Sequence, residues 1–198
     1  MTPAVIKIGG GLLGVPGALE AVCATVGAMG RREAIVVVPG GGPFADVVRD
    51  LDRGAGLSAD AAHWMAILAM DQYAHMLAER IDGAALVEES GTIAGELAAG
   101  RVVVLAPSRW LRAADPLPHS WDATSDSVAA FVAGALDASR LVLVKPAEVG
   151  EDGVDRCFLT VVPAELEVSV VSWKRFTVPV SSSVLNTEAQ SSRIHHTD

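Results

Sequence analysis

Five short apolar runs punctuate the chain: AVIKI at residues 4–8, AIVVV at 34–38, AALV at 84–87, RVVVL at 101–105 and RLVLV at 140–144. They are rich in β-branched residues and do not alternate with polar ones. That pattern predicts strands covered on both faces. Between them the apolar positions fall at helical spacing. Leu19, Val22 and Val26 follow Pro16 and predict a helix over 16–29, and Val47, Val48 and Leu51 predict one over 44–51. Further helical segments are expected at 92–99 and 125–136, and a last strand at 168–172. Strand and helix patterns that alternate in this way predict an α/β fold with a mostly parallel sheet.

One segment departs from ordinary amphipathic patterning. Ser58 reads as the N-cap of a helix running to Ile81. Its apolar residues, among them Trp64, Met65, Ile67, Leu68, Met70, Tyr73 and Leu77, cover most of the circumference. A helix apolar nearly all round must be covered on more than one side. A homo-oligomer built on residues 58–81 is therefore expected; the alternative is cover by the chain's own loops. Residues 107–118 are read as irregular, and residues 150–153 as an acidic, glycine-bearing loop. The Ser/Thr-rich stretch 181–198 reads as a mobile tail, which leaves one domain over 1–180.

Two strands end in triple glycines. Gly9, Gly10 and Gly11 follow the first; Gly40, Gly41 and Gly42 follow the second, between Pro39 and Pro43. Glycine lets backbone N–H groups approach a ligand closely, and a strand, glycine loop and helix in succession can cradle an anion. Parallel strands put both loops on one sheet edge, where open α/β sheets bind ligands. Lys7 points the same way as Gly9, so its ammonium can sit over phosphates held by the loop. No GxxxxGK[ST] motif is present.

Composition narrows the partners. The chain has 198 residues, 51% hydrophobic, with a formal net charge of −9, which argues against a broad nucleic-acid surface. No apolar run is long enough to cross a membrane, and the start, Met1-Thr2-Pro3, has no basic segment of the kind that opens a signal peptide. Cys23 and Cys157 have no metal-ligand spacing, in keeping with a reduced cytoplasmic setting.

Further chemistry-bearing residues lie near the predicted strand ends. Asp126 stands in the first turn of a helix beside Thr124, Ser125 and Ser127, where capping by Asp122 or Thr124 is the simpler role for the segment. Its carboxylate can also orient Lys7. Lys145 closes the 140–144 strand. Two lysines, two glycine loops and one carboxylate on one edge, facing a pocket of positive potential, would supply what phosphoryl transfer needs: positioning and charge stabilisation, with Mg2+ arriving on the nucleotide. Arg109 or Arg112 can grip a phosphorylated acceptor bidentately, the alternative being surface salt bridges. His63 and His75 are too far apart on their helix to share a metal; both read as interface or core-edge residues, His63 also as a lesser candidate for acceptor contact. His195 and His196 would bind metal only incidentally, so no metal-ligand set is expected.

Taken together, Lys7-Ile8-Gly9-Gly10, the segment from Pro39 to Phe44 and Thr124-Ser125-Asp126-Ser127 resemble the amino acid kinase superfamily over about residues 4–145. AHWMAILAMDQY (62–73) and PLPHSWDATSDS (116–127) resemble the branch containing 5-(aminomethyl)-3-furanmethanol phosphate kinase. The resemblance implies an αβα sandwich around a mainly parallel sheet and ATP-dependent phosphorylation of a small carboxylate or phosphate. For the branch, it implies extension of a furan monophosphate to a diphosphate in methanofuran or methylofuran assembly. It also implies residue roles: Lys7 with Gly9, Gly10 and Gly11 on the donor and transferred phosphates, Gly40, Gly41 and Gly42 on the acceptor, Asp126 orienting the catalytic lysine, Lys145 facing the nucleotide. Ser125 is assigned to the nucleotide side, while Arg109 and His63 stand as acceptor candidates on their own residue chemistry, apart from the resemblance.

The C-terminal part departs from the family pattern. Lys145-Pro146-Ala147-Glu148-Val149-Gly150 stands where an aspartate-containing, glycine-ended loop is usual. Ser172-Trp173-Lys174-Arg175-Phe176 replaces the Asn-Gly turn. Pro146 removes a backbone donor. The rival readings are a non-catalytic binding or scaffold protein on the same fold, and a kinase for a carboxylate.

Overall fold

The computed structural model describes residues 2–148 and 153–178. The strands are β1 (Ala4–Ile8), β2 (Ile35–Pro39), β3 (Ala84–Val87), β4 (Val102–Leu105), β5 (Arg140–Lys145) and β6 (Glu167–Ser172). They form one six-stranded sheet in the order β3-β4-β2-β1-β5-β6, and every pair is parallel. The register sets Lys7 against Leu143 and Ile8 against Val144. β1 hands the chain to β2 on one side of the sheet, while β5 hands it to β6 on the other. The direction of winding reverses at the β1–β5 seam, and in such sheets that seam is where a ligand crevice opens.

The helices are α1 (Ala18–Gly30), α2 (Gly42–Ala55), α3 (Ala59–Arg80), α4 (Ser90–Ala98), α5 (Ser108–Ala114), α6 (Ser125–Ala135), α7 (Phe158–Val161) and α8 (Trp173–Phe176). Alternate strand residues feed two cores. Val5, Val36, Val38, Val103, Leu141 and Leu143 pack with α4, α5, α6 and α7. Ile6, Ile8, Ile35, Val37, Val104 and Val144 pack with α1 and α8. This is the expected three-layer αβα sandwich, with a sheet buried on both faces.

α3 belongs to both cores. Its first half gives Ile67 and Met70 to one; its second half gives Tyr73, Ala74 and Leu77 to the other. That division puts α3 under cover from the chain's own elements on two sides. Of its large apolar residues only Leu68 is exposed, at 47%, so the chain's own elements provide most of the cover. Ser58 caps it as expected, accepting from the Ala61 N–H at 3.2 Å.

Two local expectations are corrected. The segment 107–118 is not irregular throughout, because residues 108–114 form α5. This helix is anchored where the Ser108 N–H donates to the Asp71 carboxylate on α3, at 3.1 Å. The first glycine loop is not an open loop; residues 10–14 wind into a 3-10 turn, and α1 begins only at Ala18. Of the acidic loop at 150–153 only Gly153 falls within the described residues, and the expected tail 181–198 lies outside them.

Candidate active site

The parallel sheet delivers both glycine loops to the same edge, and there they touch. A Cβ placed on Gly10 would lie 2.2 Å from the Gly42 Cα, and Gly42 has φ of +54°. The first value rules out any side chain at Gly10; the second is a conformation that disfavours one at Gly42. The Gly40 N–H donates to the Ile8 carbonyl at 2.8 Å, and the Gly9 N–H donates to the Val144 carbonyl at 3.0 Å. Gly9 and Gly40 therefore stitch the seams between strands, while Gly10, Gly11, Gly41 and Gly42 face open space.

Behind this contact lies an ion cluster. Lys7 Nζ stands 2.9 Å from Asp126 Oδ1, and Lys145 Nζ donates to Asp126 Oδ2 at 2.6 Å. Lys7 is 5% exposed and Asp126 4%. Three elements supply it: the ends of β1 and β5 and the first turn of α6, whose N-terminal dipole also favours the carboxylate. Burial works against every charge here. It pulls the Lys7 ammonium below the ordinary lysine value, with Asp126 opposing and Lys145 reinforcing that shift. Burial likewise pushes the Asp126 carboxyl up, but two lysines together outweigh it and hold the group below its ordinary 3.8. The difference follows from stoichiometry: Asp126 has two cations, whereas each lysine has half a carboxylate.

α6 is capped by a residue that local sequence does not reveal. Asp155 accepts from the Thr124 N–H at 2.9 Å, the Thr124 hydroxyl at 2.7 Å and the Ser127 N–H at 3.0 Å, and also from the Ser127 hydroxyl. Thr124 is the N-cap, but its own bond to the Asp126 N–H is long, at 3.5 Å; Asp122 meets Arg156 instead. Asp155 thus frees the Asp126 side chain for the lysines.

In front of the glycine contact opens a cavity of about 570 Å³. Gly10, Gly11, Gly41, Gly42 and Ser125 form its inner end. Ala45, Ala62, Ala66, Ile67, Met70 and Val128 make much of its wall apolar. Asp46, Arg49, Asp52, His63, His119 and Trp121 bring polar groups to it. Trp121 is held by its indole N–H donating to Asp52 at 2.8 Å, with the Arg49 guanidinium 4.8 Å over its ring. Lys7, Asp126 and Lys145 adjoin this space without lining it. The expectation of one pocket of positive potential needs correcting: the cations are closed against Asp126, and the open cavity is apolar with mixed charge.

The remaining expected site residues divide. His63 lines the cavity, its ring stacked on His119 with centroids 4.0 Å apart. Burial lowers the His63 pKa, and the neighbouring His119 adds to this. Arg109 does not join the cavity: its guanidinium lies 3.2 Å from Glu88 and 3.0 Å from Glu89, beyond β3 at the sheet's edge. Arg112 packs instead over Trp64, 4.2 Å from the ring centroid. His119, Trp121 and Asp155 are the residues that single-residue reasoning missed. The first two sit within the 116–127 string, but nothing in their spacing shows which way they turn.

A parallel sheet whose winding reverses at β1–β5, with paired glycine turns and a lysine–aspartate–lysine cluster at that seam, defines the class as a doubly wound α/β fold. The chain belongs to the amino acid kinase family, whose model matches residues 2–148. It is 32% identical over 113 residues to the 5-(aminomethyl)furan-3-yl-methyl phosphate kinase of Methanocaldococcus jannaschii, covering 57% of this chain and 52% of that protein. The chain thus spans about half the length of the curated relative it matches. Its fold is similar to the uridylate kinase of Archaeoglobus fulgidus (TM-score 0.56, 22% identity, 75% of this chain and 64% of that one). It is also similar to the UMP kinases of Ureaplasma parvum (TM-score 0.59, 14% identity, 77% and 74%) and Bacillus anthracis (TM-score 0.55, 15% identity, 75% and 66%).

Proposed function

We propose that this protein is an ATP-dependent kinase that phosphorylates a small phosphomonoester, converting 5-(aminomethyl)-3-furanmethanol phosphate to its diphosphate in methanofuran or methylofuran assembly. One observation carries the reading: a largely apolar cavity of about 570 Å³ ends on touching glycine turns with a buried lysine pair behind them. A compact ring fits such a wall, and its phosphate fits the glycine end. The likeness to the Methanocaldococcus jannaschii kinase supports the choice of acceptor.

The residues suit the chemistry. An acceptor phosphate oxygen, already ionised, attacks the γ-phosphorus of ATP as the bond to the β–γ bridging oxygen breaks, and ADP leaves. No general base is required, in keeping with an Asp126 carboxylate committed on both oxygens to lysines. Asp126 is then a positioning residue. Lys7 and Lys145 face the charge that moves to the bridging oxygen, and the N–H groups of Gly10 and Gly11 hold phosphate. Mg2+ would offset phosphate charge, held by the nucleotide's own oxygens and water. The missing Cβ at Gly10 lets the Gly42 backbone pack against it, and the two turns so joined present Gly11, Gly41 and Gly42 to the cavity, a backbone surface that fits such a nucleotide.

ADP release measured against a panel of phosphomonoesters and carboxylates tests the acceptor. Turnover with the aminomethylfuran phosphate is expected, and turnover confined to carboxylates would overturn it. Pro146 beside Gly11, 3.2 Å from where a Cβ would stand, favours the rival of a non-catalytic protein on this fold. Calorimetry with Mg-ATP separates the two, since no binding at millimolar nucleotide favours the rival.

A cytoplasmic setting accords with two free cysteines, Cys23 and Cys157, and among the described residues no helix is long and apolar enough to cross a membrane. Self-association through residues 58–81 is part of the reading, supported by exposed Leu68 on α3, with Val47 and Leu51 exposed on the neighbouring α2. Sedimentation at micromolar concentration should give a species larger than one chain.

A further inference from the structure

The cavity's outer wall holds a second cluster that phosphoryl transfer does not use. We propose that His63, His119 and Asp115 form a three-ligand site for a borderline-soft divalent cation of the Zn2+ class at the cavity mouth. One ligand atom from each residue lies within 4.8 Å of the others, a separation that a single ion with bonds of about 2.0–2.2 Å can bridge after small side-chain rotations.

The outer contacts match what metal-binding histidines require. His119 Nε2 lies 2.9 Å from Asp115 Oδ1, and His119 Nδ1 lies 2.5 Å from Asp60 Oδ1. A carboxylate on the far nitrogen fixes the ring and its tautomer and raises its basicity as a ligand. Asp60 does this from α3, leaving Nε2 and Asp115 to share an ion where they now share a proton. His63, one helical turn beyond Asp60 on α3, is stacked on the same ring at 4.0 Å and supplies the second imidazole by turning out of that stack, so that its lone pair converges with that of His119. Two imidazoles and one carboxylate select Zn2+, Co2+ or Ni2+ over Mg2+, which prefers oxygen. His63 and His119 both line the cavity, so the open coordination position faces an incoming anion. The simpler account is an imidazolium bridging two carboxylates, with no ion.

Titration of the full chain with Co2+, and with Zn2+ in competition against a chromogenic chelator, distinguishes these. One equivalent of Zn2+ per chain is expected, with Co2+ giving the intense visible bands of low coordination. Asp115→Asn, nearly isosteric and at home in the left-handed conformation of residue 115 (φ 43°), and His119→Ala should each abolish the bands. Asp60→Asn should weaken binding about 10–100-fold. His195→Ala with His196→Ala should change nothing. Wild-type protein that binds no stoichiometric Zn2+ overturns the site, as does binding that survives Asp115→Asn and His119→Ala or vanishes with the two adjacent histidines.

Discussion

Two charge clusters flank the cavity, and water separates their behaviour. Lys7, Asp126 and Lys145 sit behind the glycine turns with side chains at most 12% exposed. Asp60, Asp115 and His119 sit at the rim, where the Asp60 and Asp115 side chains are 78% and 55% exposed. In the interior, attraction between charges is strong but each carries a desolvation penalty. Such a group holds one geometry and fails badly when one member is removed. At the rim, solvent and salt compete for every charge, and pairing is worth little. A buried cluster suits the task of holding cations at fixed points. A rim cluster suits exchange of one counter-charge for another.

The largest effect is expected at the one residue both lysines share. Asp126→Asn leaves two buried ammonium groups without a carboxylate, and the cost should be about 3–5 kcal/mol, read from the shift in urea midpoint. The pH dependence has a definite sign. Asp126 has its folded pKa below the ordinary 3.8, so its contribution is fully present above about that value and is lost as pH falls through the folded pKa. The stability gap between wild type and Asp126→Asn should be flat near neutrality and close only under acid. A gap already closing near pH 6 would place the cluster in water.

Lys7→Met removes one cation but leaves Asp126 paired with Lys145, so chemistry should suffer more than stability. Loss of one donor aimed at developing charge costs about 10²–10³-fold in kcat, and ADP release against the furan phosphate measures it. Equal turnover in wild type and variant would remove Lys7 from the reaction while leaving the fold intact.

The same contrast explains how much could be read in advance. Strands such as AIVVV, buried on both faces, declare themselves by composition alone, and parallel connection then obliges both triglycine turns to share an edge. Lys7 and Lys145 follow as strand-end residues, and Asp126 as a first-turn residue of α6. Asp155 does not follow, because a cap supplied from 28 residues downstream of Ser127 leaves no local spacing. His119 and Asp60 are 59 positions apart, and no periodicity joins a loop to a helix. α3 is ambiguous for a related reason: its composition reports burial on two sides, and spacing alone does not say that the same chain supplies cover on both. Arg109 misleads because an arginine beside tryptophan looks the same in sequence whether it meets a phosphate or Glu88 and Glu89.

Asp155 offers an intermediate test, since it stands close to the buried cluster yet touches it only through α6. Asp155→Ala deprives the Thr124 and Ser127 N–H groups of their acceptor, and loss of such a cap costs about 0.5–2 kcal/mol. If the cap also sets where Asp126 points, kcat should fall while the KM for the acceptor changes little. Asp155→Asn, which keeps one acceptor oxygen, should recover part of the loss. An Asp155→Ala enzyme that is merely less stable, with kcat unchanged, would confine the residue to capping.

The smallest effect is expected at the rim. His119→Gln removes the ring that links Asp60 to Asp115, but both carboxylates are exposed and can return to water. The unfolding midpoint in metal-free buffer should therefore move far less than for Asp126→Asn. What difference there is should shrink as salt rises from 0.05 to about 0.5 M, because the Debye length falls to a few ångströms. The Asp126→Asn difference should be nearly indifferent to the same change, since its charges lie out of reach of ions. Measuring both variants across one salt series therefore turns the distinction into two slopes. A steep slope at Asp126 or a flat one at His119 would show that burial is not what divides the two clusters.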